Sequence, residues 1–358
     1  MREPVQSVKL PGIQYLRAIA ALMVAYLHMS GQILQYSPTI RDHLPFDIHQ
    51  FNSAVDIFFV ISGFIMMISS ASSSPGDFAI RRVIRVVPLY WIVTLTLAGL
   101  YVVAPTAFRT MVVRPEYVLK SLLFIPYHNP GAWGERVPLL VPGWTLNLEM
   151  FFYATFTFAL FTPYRWRLAL IALIFTCLLA VGEVSQLQTN FTVVGFYMTP
   201  RILEFWLGML IGDLYLRNRL GLPRVVSWLL IFGGFGFLLA GWPVPYALSD
   251  RSAFASLLPA VAIVLGAVGI ECDHRVRYHW FPALLGDASY SIYLTHFLSL
   301  ELVRALWIRI FGNAASPEEA IGFATCSMIA VCAVAILAYR LIERPLLRVG
   351  HRMFVQHA

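Results

Sequence analysis

The chain has 358 residues, of which 59% are hydrophobic, 14% aromatic and only 13% charged, with a mean hydropathy of +0.71. Ordinary soluble domains run about 45–50% apolar and about 25% charged, so too few polar side chains are present to clothe a water-facing surface. That excludes a soluble globular protein, a disordered chain, collagen and a coiled coil, and leaves an all-α polytopic integral membrane protein.

Lys and Arg outnumber Asp and Glu by 26 to 19, a net charge of +7. In a soluble protein this would raise nucleic acid as a partner. In a membrane chain, basic residues gather in cytoplasmic loops, and no nucleic-acid partner is expected. The four cysteines, Cys177, Cys272, Cys326 and Cys332, form no CxxC pair. They read as buried small hydrophobes, neither a disulfide framework nor metal ligands, and no metal site is expected.

The first apolar stretch begins IQYLRAIAALMVAYLHMS and runs over 13–34. It is too long for the apolar region of a signal peptide and has no small-residue cleavage site, so it reads as a retained span. Further apolar runs follow at about 54–71, 85–104, 144–161, 166–183, 200–216, 225–241, 253–270, 284–303 and 320–341. About ten transmembrane helices are therefore expected, each long enough to cross roughly 30 Å of hydrocarbon. Helices follow because a lipid-exposed backbone must satisfy its own hydrogen bonds, and the runs lack the alternation of a barrel strand.

With the N-terminus cytoplasmic, the inner gaps hold 15 Lys and Arg and the outer gaps hold 6. Both termini are placed inside on that asymmetry, in a multi-pass protein of the cell membrane. The longest outer segment, 105–143, is rich in Pro, Gly and aromatics, and its middle, 115–124, is expected to form a short interfacial helix. A connection this long is more often functional than idle. The chain reads as one transmembrane domain over 1–358, with no internal repeat and no separate soluble domain.

Ionisable side chains inside a bilayer are costly and point to sites. Arg17 and His28 lie eleven residues apart, close to three helical turns, so they share a face and are separated by about 16 Å along the axis. His28, Asp56, Glu149 and His296 are all expected in the outer half of the membrane. A histidine beside carboxylates at one depth suits general-base chemistry. Arg81, Arg82 and Arg85, in AIRRVIRVVPLYW, are expected with Arg17 at the inner end, where guanidiniums suit a phosphate-rich ligand. Plainer readings stand beside these. Arg17 also suits snorkelling, Asp56 a helix cap, His28 an interhelical hydrogen bond, and the arginine cluster anionic lipid headgroups. Glu204 with Arg201, and Glu301 with Arg304, also suit surface ion pairs. Trp144, Asn147 and Tyr153, together with Tyr290, Tyr293 and His296, combine aromatic faces with polar groups as a sugar-binding surface does. Trp and Tyr also serve as interfacial anchors.

The stretches IQYLRAIAALMVAYLH, VDIFFVISGFIM, RRVIRVVPLYW, LLFIPYHNP, PGWTLNLEMFFY, LLGDASYSIYLTHF and YRLIERPLLR resemble, in order, the acyltransferase-3 family of membrane acyltransferases. They are most similar to its exopolysaccharide-production branch. The resemblance implies ten helices and transfer of an acyl group, usually acetyl from acetyl-CoA, to a carbohydrate hydroxyl of an exopolysaccharide or lipid-linked glycan. It also implies that Arg17, His28, Arg81, Arg82 and Arg85 are required. On this reading the arginines hold acetyl-CoA, His28 acts as general base, and Glu149 or Asp56 orients its ring. The competing class is a glycan or lipid transporter using the same charges, which predicts inverted repeats and broken helices.

Overall fold

In the computed structural model the residues described are 10–36, 51, 53–70, 73–105, 111–132, 135–185, 192–240, 250–272, 276–312 and 316–354. The N-terminal segment 1–9 and much of the expected outer segments, including 37–50, 186–191 and 241–249, lie outside them. The regular elements among the described residues are all helices, with no strand.

In chain order the helices are α1 (Pro11–Tyr36), α2 (Ala54–Ser69), α3 (Pro75–Val103), α4 (Pro115–Leu122), α5 (Trp144–Ala159), α6 (Tyr164–Ser185) and α7 (Val193–Tyr197). They continue with α8 (Ile202–Leu216), α9 (Arg224–Leu239), α10 (Asp250–Cys272), α11 (Trp280–Asp287), α12 (Ser289–Phe311), α13 (Pro317–Ala338) and α14 (Arg344–Phe354). Each apolar run picked out in the sequence is occupied by a helix. Pro11–Ile33, Pro75–Val103, Tyr164–Ser185 and Pro317–Phe354 are long and apolar enough to cross a membrane, and Ala54–Ser69, Arg224–Leu239 and Ser256–Cys272 are shorter apolar helices.

Three of the boundaries that differ from the expected ones have a local reason. The α3 helix starts ten residues before 85. Ser74 caps it by accepting from the Asp77 amide, and Pro75 opens its first turn, where a missing N–H costs nothing. The run at 284–303 is split at Ala288 into α11 and α12, just after Gly286 and Asp287, both poor helix formers. The last run does not stop at 341. The Tyr339–Glu343 segment is wound as a π-helical turn that leads into α14. Pro345 offers no N–H to the ladder, and a widened turn accommodates that loss.

The α2 and α8 helices pack most closely. A Cβ built on Gly63 would lie 2.0 Å from the Phe205 carbonyl oxygen, and one on Gly208 would lie 2.0 Å from that of Val60. The two backbones touch at this crossing, as small residues allow between membrane helices. They run in the same direction, for Asp56 pairs with Arg201 at one end and the Phe64 ring meets Tyr215 at 5.7 Å toward the other. The α1 and α12 helices are also parallel. The Tyr15 hydroxyl donates to the Arg277 carbonyl just ahead of α11, and Gln32 donates to Glu301 at 2.9 Å toward their far ends. Large apolar side chains face outward along α3, α6 and α13, among them Val103, Leu173, Val184 and Ile329. The four cysteines form no disulfide and none is buried, with Cys177 and Cys326 exposed on helix faces. This corrects the expectation that they fill the core.

Candidate active site

The first turns of α3 carry the arginine cluster. Arg81 donates to the Ser73 hydroxyl. Arg82 donates to Ser69 Oγ at 2.5 Å and lies over the rings of Phe78 at 5.0 Å and Tyr153 at 5.7 Å. Its Nε–H is buried without an acceptor. Arg85 is ion-paired with Glu343 and lies 5.4 Å over Tyr290. Glu343, only 2% exposed, also accepts from Ser291 Oγ at 2.5 Å. The Tyr290 hydroxyl donates to the Val86 carbonyl at 2.7 Å, which ties α12 to α3. Arg17 on α1 donates to Gln14 Oε1 at 3.2 Å. It lies within electrostatic reach of Arg85, Glu343, Asp287 and Glu149. Arg81, Arg82 and Arg85 thus gather on α3, with Arg17 of α1 within reach of Arg85.

Glu149 joins this group. Its carboxylate accepts from the Tyr153 hydroxyl and from Ser62 Oγ at 3.3 Å, and it acts electrostatically on Arg82 and Tyr290. The sequence reading set Glu149 at the depth of His28. The structure sets it beside the arginines, because α5 directs Glu149 and Tyr153, one turn apart, at the same neighbour.

Farther along α1, the His28 ring bonds through Nδ1 to the Val24 carbonyl at 2.9 Å. A carbonyl only accepts, so Nδ1 carries the proton and Nε2 keeps its lone pair. The neighbouring group is His296 on α12, with ring centroids 4.9 Å apart. His296 is fully buried. Its Nδ1 meets the Ile292 carbonyl at 3.2 Å, and its Nε2 has no partner. Tyr293 stands beside it, centroid to centroid 6.1 Å. The Tyr293 hydroxyl is taken up by the Pro142 carbonyl and Thr145 Oγ1, each at 2.8 Å. This pins the end of the outer segment, and the start of α5, onto α12.

Asp56 belongs to a separate buried group. It is ion-paired with Arg201, whose guanidinium lies 5.5 Å over Trp144. Glu204 interacts electrostatically with both Asp56 and Arg201 and is fully buried, so the surface-pair reading of Glu204 is corrected. Glu301 and Arg304 form the expected ion pair, but their side chains are only 21% and 11% exposed, so it is not a surface pair. Asn147 on α5 is 1% exposed, and neither end of its amide has a partner.

The described residues between α4 and α5 are held by their own side chains. Asn129 donates to the Pro138 carbonyl at 3.1 Å and accepts from the Gly131 amide at 2.9 Å. Tyr127 stacks on Tyr117 at 5.0 Å, and burial pushes its hydroxyl up to about 12. Among the described residues no group of three or more His, Cys, Asp or Glu is arranged for a metal ion.

The sequence reading missed Glu343 and Ser62, and it gave Arg201 only as a surface partner of Glu204. Glu343 had a readable signal, an acidic residue in an apolar run just ahead of Arg-Pro. Its partner Arg85, 258 positions away, had none.

Comparison with known proteins supplies the last finding. An acyltransferase domain model matches residues 10–340. The chain is 40% identical over 304 residues, 83% of its length and 90% of the relative's, to the exopolysaccharide production protein ExoZ of Rhizobium meliloti (strain 1021). It is 26% identical to the acyltransferase MdmB of Streptomyces mycarofaciens, over 96% of this chain and 93% of that one. It is 25% identical to nodulation protein 10 of Rhizobium leguminosarum bv. viciae, over 93% and 92%. No solved structure matches the chain.

Proposed function

The chain belongs to the acyltransferase-3 family, and we propose that it is a membrane O-acyltransferase moving an acetyl group from cytoplasmic acetyl-CoA to a carbohydrate hydroxyl. The acceptor is an exopolysaccharide or a lipid-linked glycan. The name of the 40% identical relative supports that class of acceptor.

One observation carries the reading. On α1, guanidinium and imidazole stand on one face, about 16 Å apart, with Arg85 within electrostatic reach of the first, Arg82 next to Arg85 and His296 beside the second. The charged end suits the phosphates of a coenzyme A thioester, and the spare Nε–H of Arg82 is a donor that an oxyanion would satisfy. The extended arm of the donor then bridges the interval to His28. His28 Nε2 takes the proton of the acceptor hydroxyl. The oxygen attacks the thioester carbonyl, the C–S bond breaks, and the departing thiolate takes the proton back.

The parallel course of α1 and α12 requires an even number of crossings from one to the other. Ten spans satisfy this with α1 first and α12 ninth, and both termini cytoplasmic, in a multi-pass protein of the cell membrane. Trp144, Asn147 and the outer segment flank the route by which the acceptor enters. A transporter using the same charges remains the second class, and it moves substrate without acetyl-CoA.

The test uses membrane vesicles carrying the protein, radiolabelled acetyl-CoA and the glycan fraction of the same membranes. Label enters the glycan with the wild-type chain and stays out with His28→Ala. Full transfer by that variant overturns the reading.

A further inference from the structure

We infer that His296 is a positioning residue for His28, and that the working base is a pair of imidazoles in which the second ring shares the proton taken up by the first. The inference rests on the acyltransferase reading above and deepens it. It replaces the carboxylate that a histidine base usually leans on.

The two rings are held by the same device. Each sits on a helix with Nδ1 turned back to the carbonyl four residues earlier, Val24 for His28 and Ile292 for His296. A carbonyl cannot donate, so each ring is fixed as the Nδ1–H tautomer with its Nε2 lone pair aimed away from its own backbone. The rings then meet at 4.9 Å between centroids. His296 Nε2 is buried and unpartnered. A buried acceptor without a donor is costly, and such an atom calls for an explanation. A proton arriving on the adjoining ring supplies one.

The surroundings favour this acceptor over any carboxylate. Asp56 is occupied by Arg201. Glu149 is occupied by Tyr153 and Ser62. Glu301, the acidic group above the pair on α12, is occupied by Arg304 and Gln32. The Tyr293 hydroxyl is turned toward Pro142 and Thr145. His296 is thus a titratable side chain in direct contact with the His28 ring.

The step balances. The acceptor's O–H bond breaks and its proton goes to His28 Nε2. While the new ester C–O bond forms and the thioester C–S bond breaks, that proton is held between the two Nε2 atoms. It leaves to the thiolate sulfur, and both rings return to neutral.

The experiment compares His296→Phe, which keeps a flat ring without an acceptor, with His296→Gln, which restores an acceptor oxygen near the Nε2 position. Both are assayed as purified full-length protein in vesicles, with labelled acetyl-CoA and the membrane glycan fraction. For His296→Phe, kcat is expected to fall about 10- to 100-fold with KM for acetyl-CoA unchanged. His296→Gln is expected to recover part of the loss. Adding His296→Phe to His28→Ala should cost nothing more, since the second ring acts through the first. Wild-type kcat in His296→Phe overturns the inference. So does an equal loss in both variants accompanied by a lowered melting temperature, which marks a packing role. If His28→Ala is itself active, the base reading fails and not merely this refinement of it.

Discussion

Arg85 and Glu343 form an ion pair across 258 positions of sequence, with the carboxylate 2% exposed and the guanidinium 25% exposed. The pair fixes a cation that the donor phosphates would otherwise have to order, and it does so from the π-helical turn that carries Glu343 inward. Ser291 holds the second carboxylate oxygen, so the carboxylate is clamped from two helices. Glu343→Gln keeps the hydrogen-bonding shape and removes the charge. Its KM for acetyl-CoA is expected to rise about tenfold, about 1.4 kcal/mol, with kcat within a few-fold of wild type. Steady-state kinetics in vesicles measure this, and an unchanged KM would place Arg85 outside donor binding.

His28→Ala removes the only imidazole on α1. The expected loss of kcat is about 10²–10⁴-fold, the range a general base contributes. Helix content and thermal transition should stay near wild type, because the half-buried ring gives up one hydrogen bond, to Val24. An acyl-histidine intermediate would leave label on the wild-type protein after rapid denaturation near neutral pH without acceptor. Direct transfer leaves none.

How much of this was legible in the sequence divides along a physical line. Period, length and scarcity of charge carry the helices, since each helix in a membrane must satisfy its own backbone. Arg17 and His28 share a face because eleven residues close nearly three turns, a relation internal to one helix. The partners of Glu149, Tyr153 and Ser62, were not legible, because a depth counted from a helix end does not say which side chains a long carboxylate reaches. The partnerships of Arg85 with Glu343 and Asp56 with Arg201 were not legible at all. They depend on which helices become neighbours, and nothing local encodes that. The early start of α3 was readable in Ser-Pro-Gly-Asp, a cap followed by proline at the first turn, although that segment is too polar to register as an apolar run.

Gly63 and Gly208 hold α2 and α8 at backbone contact. Gly63→Ala would drive a Cβ to 2.0 Å from the Phe205 oxygen, and a backbone atom cannot swing aside as a side chain can. Overpacking of this kind costs about 1–3 kcal/mol or more. The melting temperature in detergent should drop clearly, whereas Gly99→Ala, with nothing within 4 Å, should leave it level or raise it slightly, since alanine is the better helix former. Equal behaviour of the two variants would contradict the close crossing.

Asp56 offers a direct contrast between two roles. As a partner of His28 it would act on kcat. As a partner of Arg201, with 1% and 14% of the two side chains exposed, it acts on stability, because breaking a buried pair from one side strands the other charge at a cost of about 3–5 kcal/mol. The second outcome is expected. Asp56→Asn should lower the melting temperature and the yield of folded protein, while the kcat of the folded fraction stays within a few-fold of wild type. Adding Arg201→Gln removes the stranded cation and should recover part of the lost stability, a coupling that a double-mutant cycle measures. A fall in kcat near 100-fold at unchanged melting temperature would instead return Asp56 to the catalytic centre.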